Sequence, residues 1–176
     1  MRSATAMKKA LEPYIRLAPF FGIGLAVVAI VLVCILLAQR GAQMELNGSI
    51  LKVRTLALDE KSAAAILDFR VSNPSNYSFV VRTADTTLVD QSGNVLEGAP
   101  ISDVDARRLF EYYPILGQKY NDSLIVRTKI GPHQSLDRML AARFEVSEPQ
   151  LQARKQLRVR IEDLDGPFVE LVETRR

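Results

Sequence analysis

The chain offers one histidine, His133, and one cysteine, Cys34, to any chemistry that needs an imidazole or a thiol. A Ser-His-Asp or Cys-His arrangement needs that histidine beside a nucleophile and an orienting acid. Cys34 lies inside an uncharged apolar run, out of reach of His133 in the turn-rich Gly131-Pro132-His133. Ser135 stands two residues on, but no G-x-S-x-G elbow presents it. One histidine without an accessible cysteine does not make a zinc site. Glu162-Asp163-Leu164-Asp165-Gly166 has the oxygen density that calcium favours. No acid follows at the bidentate position of an EF-hand, and Asp with Gly is ordinary hairpin-tip chemistry. Asp103 and Asp105 follow Ser102 as acids do in the first turn of a helix. Gly22-x-Gly24 follows no strand, so it is not a phosphate loop. Residue types and spacing therefore predict a non-enzymatic protein with no catalytic residue, no cofactor and no metal.

Contact surfaces are better represented. Phe110, Tyr112, Tyr113 and Tyr120 bring four of the chain's twelve aromatic residues into eleven positions. Arg107 and Arg108 precede them by about one helical turn. Aromatic and arginine side chains carry most interface energy, so this stretch is the candidate partner contact. The competing use of the same rings is packing, with the stretch closing one open end of the domain. Gly22, Ala26 and Ala29 set small residues near one helix face, a candidate helix–helix contact.

These stretches have to be positioned by two kinds of element. Leu17 to Ala38 is an uncharged run of 22 residues bounded by Arg16 and Arg40. At ~1.5 Å per residue it spans roughly 33 Å, enough for a hydrocarbon core of about 30 Å. A cleaved signal peptide has a shorter apolar core and a small-residue cleavage site, whereas Ala38-Gln39-Arg40-Gly41 follows here. The run therefore predicts an uncleaved signal-anchor at 17–38. Residues 1–16 carry four basic side chains against Glu12, which predicts a cytoplasmic tail and places the rest periplasmic or extracellular, on an inner or cell membrane. Eighteen of the 23 basic and 19 of the 20 acidic residues lie beyond Arg40, a net charge of −1 with the signs interleaved. That balance excludes nucleic acid as a partner. With a single cysteine, the outer domain folds on its core alone.

Beyond a short linker at 39–45 the dominant period is two, the mark of half-buried antiparallel strands. Leu67, Phe69 and Val71 point one way and Asp68 and Arg70 the other. Leu124–Ile130, Leu140–Val146 and Leu157–Glu162 alternate in the same way, with Leu124, Val126 and Ile130 inward. Less regular strands are predicted over Ile50–Leu58, Phe79–Val89, Val95–Gly98 and Phe168–Val172. Asp90–Asn94 and Asp163–Pro167 read as hairpins, and Pro74 forces a turn. Ser102–Tyr113 reads as a capped helix ended by Pro114, and Ser147–Arg154 as one or two helical turns. The expected fold is mainly β: an N-terminal transmembrane helix, then an antiparallel sandwich over 46–174 with one or two short helices.

The succession of an alternating strand, Asn73-Pro74, a longer strand at Phe79–Val89, the Ser92-Gly93-Asn94 hairpin and Gly98 resembles the Ig-like sandwich of the late-embryogenesis-abundant group 2 proteins, the water-stress-and-hypersensitive-response domain. Ile130-Gly131-Pro132-His133 before a further strand also fits that outline, and the likeness runs from about Leu46 to Ile161. The aromatic insert of Phe110–Tyr120 departs from it. The resemblance implies a non-enzymatic module behind a single anchor. At ~3.3 Å per residue, the few residues between Arg40 and Leu46 keep such a domain within roughly 20 Å of a bilayer. The expected partners are lipid bilayer and membrane protein, in an accessory subunit of a membrane complex; a stress-protective envelope module is the alternative.

Overall fold

The computed structural model describes residues 24–34 and 46–174. The chain divides into two units, Met1–Gln43 and Met44–Arg176. In the first, residues 24–34 form helix α1, eleven residues drawn from the apolar run. The tail at 1–16, the linker at 39–45 and both ends of the 17–38 segment lie outside the described residues. Among the described residues, no helix is long and apolar enough to cross a membrane.

The second unit is a two-sheet sandwich. One sheet runs in the order β1 (Asn47–Ala57), β2 (Ala63–Ser72), β7 (Ser135–Phe144), β5 (Ala99–Pro100). The other runs β4 (Val95–Glu97), β3 (Phe79–Val89), β8 (Gln156–Asp163), β9 (Phe168–Val172), with β6 (Lys129–Ile130) on the start of β3. Every strand pair is antiparallel. Alternation decides which side chains meet between the sheets. Leu67, Phe69 and Val71 of β2 pack with Ala142 and Phe144 of β7 and with Leu157, Val159 and Ile161 of β8. Side chains at period two lie on one face, so each strand gives every second residue to this core.

Two elements bridge the strands. Helix α2 (Asp103–Tyr112) begins at Ser102, whose hydroxyl accepts from the Asp105 amide, and Pro114 starts a 3-10 turn, Pro114–Leu116. Helix α3 (Glu148–Gln152) begins in a capping box between Ser147 and Gln150. Ala106, Leu109 and Phe110 recur at helical spacing on α2 and, with Ile101 and Leu116, cover the outer face of the first sheet. Beneath them Leu56, Ala64, Ile66, Met139 and Ala141 form a second core. Ala63 through Phe69 are consequently buried without interruption, because β2 is covered on both faces.

Three expectations need correction. Leu124–Ile130 is not one strand: it turns tightly at Ile125–Thr128, with Arg127 at φ 67°, and only Lys129 and Ile130 pair. Val126 accordingly faces solvent rather than the core. Asp68 does not face water but is buried beneath α2. Finally, the strand expected from Leu140 starts at Ser135.

Gly98 lies where the chain crosses from one sheet to the other, its amide donating to the Thr86 carbonyl at 2.9 Å. A Cβ there would lie 2.8 Å from the Phe144 ring and 2.9 Å from the Ala142 Cβ. Phe144 is fully buried and has nowhere to move. Gly98→Ala is expected to cost about 1–3 kcal/mol through overpacking. The urea midpoint of the variant checks this, and an unchanged midpoint rejects the close approach.

Candidate functional site

The second core holds one charged pair, which the alternation pattern alone does not single out. Arg54 of β1 and Asp68 of β2 are both buried and form an ion pair. A second nitrogen of the same guanidinium donates to the carbonyls of Leu116 and Gln118, each at 2.9 Å. The Arg54 guanidinium carbon stands 4.9 Å from the centroid of the Phe110 ring. The other Asp68 oxygen accepts from Asn121 Nδ2 at 2.8 Å. One guanidinium thus touches a strand acid, two carbonyls at the far end of the insert and a ring of its helix. Largely removed from water, such contacts hold the insert in one place, because each would leave an uncompensated group if broken. Arg54 Nε has no hydrogen-bond partner.

A second tether lies at the start of α2. Asp103 accepts from the Ser123 hydroxyl at 2.6 Å, pairs with Arg107 one turn on, and lies 3.6 Å from Lys119. The Ser123 hydroxyl is the main reason that its carboxyl titrates below the ordinary 3.8; Arg107 and Lys119 act in the same sense against partial desolvation. A depressed pKa contributes stability that is present above the unfolded value and lost as the pH falls through the folded one.

From this base three large side chains project into solvent. Tyr112 is 76% exposed, Ile115 86% and Tyr120 70%. The structure therefore divides the aromatic stretch: Phe110 packs over Arg54, Tyr113 caps α2 and is partly covered, and Tyr112 and Tyr120 are free. Arg107 and Arg108 are exposed beside them, paired within the helix to Asp103 and Asp105. In α1, Ala26 and Ala29 are exposed, while Gly22 lies outside the described residues. Ile115 was missed because an isolated aliphatic gives no sequence signal. Arg54 and Asp68 were missed too, although Ala63-Ala64-Ala65-Ile66-Leu67 marks a strand buried on both faces, and an acid within it needs a partner.

Elsewhere the polar groups hold structure together. His133 Nε2 is 2.9 Å from Asn76 Oδ1, and the Ser135 hydroxyl donates to Ser72 at 2.8 Å rather than to the histidine. Asp163 Oδ1 accepts from the Val80 amide at 2.7 Å, which ties its hairpin to β3. Among the described residues, no three His, Cys, Asp or Glu side chains stand together to hold a metal. A groove of about 560 Å³ opens between the two sheets beside the start of α2, lined by Ala84, Thr86, Ile101, Leu124, Leu140 and Ala142 among others. Ser102, Asp103 and Ser123 also line it, with the Ser123 hydroxyl donating to the Asp103 carboxylate.

No family model and no curated protein matches the chain. Among solved structures it is similar to the crystal structure of an uncharacterized beta-sandwich protein from Clostridium difficile 630, at 8% identity and a TM-score of 0.35, over 74% of this chain and 86% of that one.

Removing one partner of a buried pair costs ~3–5 kcal/mol, and replacing both by apolar residues recovers much of it. Arg54→Met is therefore expected to lower stability by that amount and to speed amide exchange in α2, while adding Asp68→Leu restores part. Equal urea midpoints for Arg54→Met and the parent would reject the role of the pair. Ser123→Ala should raise the Asp103 pKa back toward 3.8. Carboxyl-carbon NMR titration reads this, and an unmoved midpoint removes Ser123 as the cause.

Proposed function

We propose that this chain is a single-pass, membrane-anchored, non-enzymatic binding protein that serves as an accessory subunit of a membrane complex, with the α2 insert as its partner contact. The observation that carries the reading is the pairing of exposed rings with a locked base. Tyr112, Ile115 and Tyr120 project from a segment that Arg54 and Asp68 hold rigidly against the sheet. Exposed apolar side chains on a pre-ordered support lose little conformational entropy on binding, which is where affinity is gained. Arg107 and Arg108 supply the charged rim of the same surface.

The uncharged 17–38 run and the basic tail support an anchor with a cytoplasmic N-terminus and a domain outside the inner or cell membrane. The family resemblance supports the same order of anchor and Ig-type module. The partners of this reading are the bilayer and a membrane protein, and neither metal nor cofactor has a role in it.

Truncating a central interface aromatic costs ~2 kcal/mol, more than tenfold in affinity. Tyr112→Ala combined with Tyr120→Ala is expected to remove the co-purifying membrane protein recovered in mild detergent while leaving the urea midpoint unchanged, since both rings are exposed. A folded double variant that retains its partner at parental yield would overturn the proposal.

A further inference from the structure

The strand register gathers three loops at the end of the sandwich where the chain arrives at β1. Asn47 pairs with Ser72, and Ser72 with Ser135, so the β2–β3 loop and the turn before β7 lie beside the start of the domain. Buried Asn73 binds them together: its side-chain amide donates to the carbonyls of Tyr77 at 2.7 Å and of Ile130 and Gly131 at 3.1 Å, and its backbone amide donates to Gln134. His133, held at φ 54°, meets Asn76 across the same seam. The third loop is the β8–β9 hairpin, fastened to Val80 by the Asp163 carboxylate and by the Leu164 amide at 3.0 Å. This polar stitching joins the loops, and two large side chains on them point outward: Tyr77, 61% exposed, and Leu164, 54% exposed. The exposed charges on these loops and on adjoining β6 are of both signs, Lys129 and Asp165 among them.

We infer that this loop end is a lipid-contacting face, with Tyr77 and Leu164 seated at the headgroup level of the bilayer. The inference rests on the anchor reading, and the short 39–45 segment is its reason for choosing lipid as the occupant. A domain tethered within roughly 20 Å of a bilayer by the chain end that opens β1 turns this end toward the membrane more readily than any other. Tyrosine is enriched at that level because its ring is apolar and its hydroxyl remains wet. Insertion points on two loops that meet the start of β3 would also constrain the tilt of the domain, leaving the α2 flank clear for a protein partner.

The chain contains no tryptophan, so single reporters can be placed in a silent background. Full-length Tyr77→Trp, Leu164→Trp and, as the flank control, Tyr112→Trp are reconstituted into phosphatidylcholine–phosphatidylglycerol vesicles with and without brominated acyl chains. Both loop reporters are expected to be quenched about twofold or more, as interfacial side chains should be, and the Tyr112 reporter scarcely at all. Circular dichroism confirms the fold of each variant, and the two loop positions serve as independent tests. Quenching that is absent at both loops, or as strong at position 112, overturns the inference. Alkaline carbonate extraction separates the two failures. A chain that stays in the membrane pellet without loop quenching sinks the lipid face alone, whereas a chain that washes off sinks the anchor and this inference together.

Discussion

A buried guanidinium organises the part of this protein that differs most from a plain sandwich. Arg54 and Asp68 stand on neighbouring strands of one sheet, on the face turned away from the main core. Uncovered, they would be an ordinary exposed cross-strand pair worth a fraction of a kcal/mol. Covered by α2 and the 3-10 turn, they lose water and must find every partner within the protein. Two carbonyls of the insert, an asparagine amide and an aromatic ring meet most of that demand, and Arg54 Nε alone of the guanidinium nitrogens is left without a hydrogen bond. The insert thus creates the burial that makes the pair matter, and the pair admits only one placement of the insert.

What sequence reasoning captured follows from this arrangement. Strands covered on one face, such as β8 with Leu157, Val159 and Ile161 inward, alternate cleanly and were legible. Phe79–Val89 and Phe168–Val172 have the limits read from the sequence, the second beginning directly after Pro167. The helix of the insert was also legible, from its Ser102 cap and the Pro114 stop. Alternation failed where its premise failed. Asp68 faces away from the first core, as its parity requires, but into a second core that period two cannot announce. Leu124–Ile130 has strand-like alternation, yet the hydrogen bond from Thr128 back to Ile125 turns the chain, and Arg127 adopts a left-handed backbone conformation unusual for its type. The aromatic stretch was recognised as a unit, but dividing it into a packed Phe110 and free Tyr112 and Tyr120 required the sheet beneath.

Several of the polar groups that invite a chemical reading make structural contacts. His133 and Asn76, Ser135 and Ser72, Asp163 and Val80 each close a loop or a strand end. What the fold leaves open to other molecules is surface: a flank of rings on a fixed base, a lateral groove between the sheets, and a stitched loop end. Surfaces of this kind recognise shape and polarity, the property on which the proposed binding role relies.

The four-way grip of Arg54 also limits how the insert can be handled, in evolution or in the laboratory. It resembles a loop appendage, yet half of its anchorage resides on β1 and β2, 53 to 64 residues away in sequence. Moving the insert to another sandwich would therefore require moving residues 54 and 68 with it, and deleting it here would expose a strand face composed for burial. The insert and its sheet form one structural part.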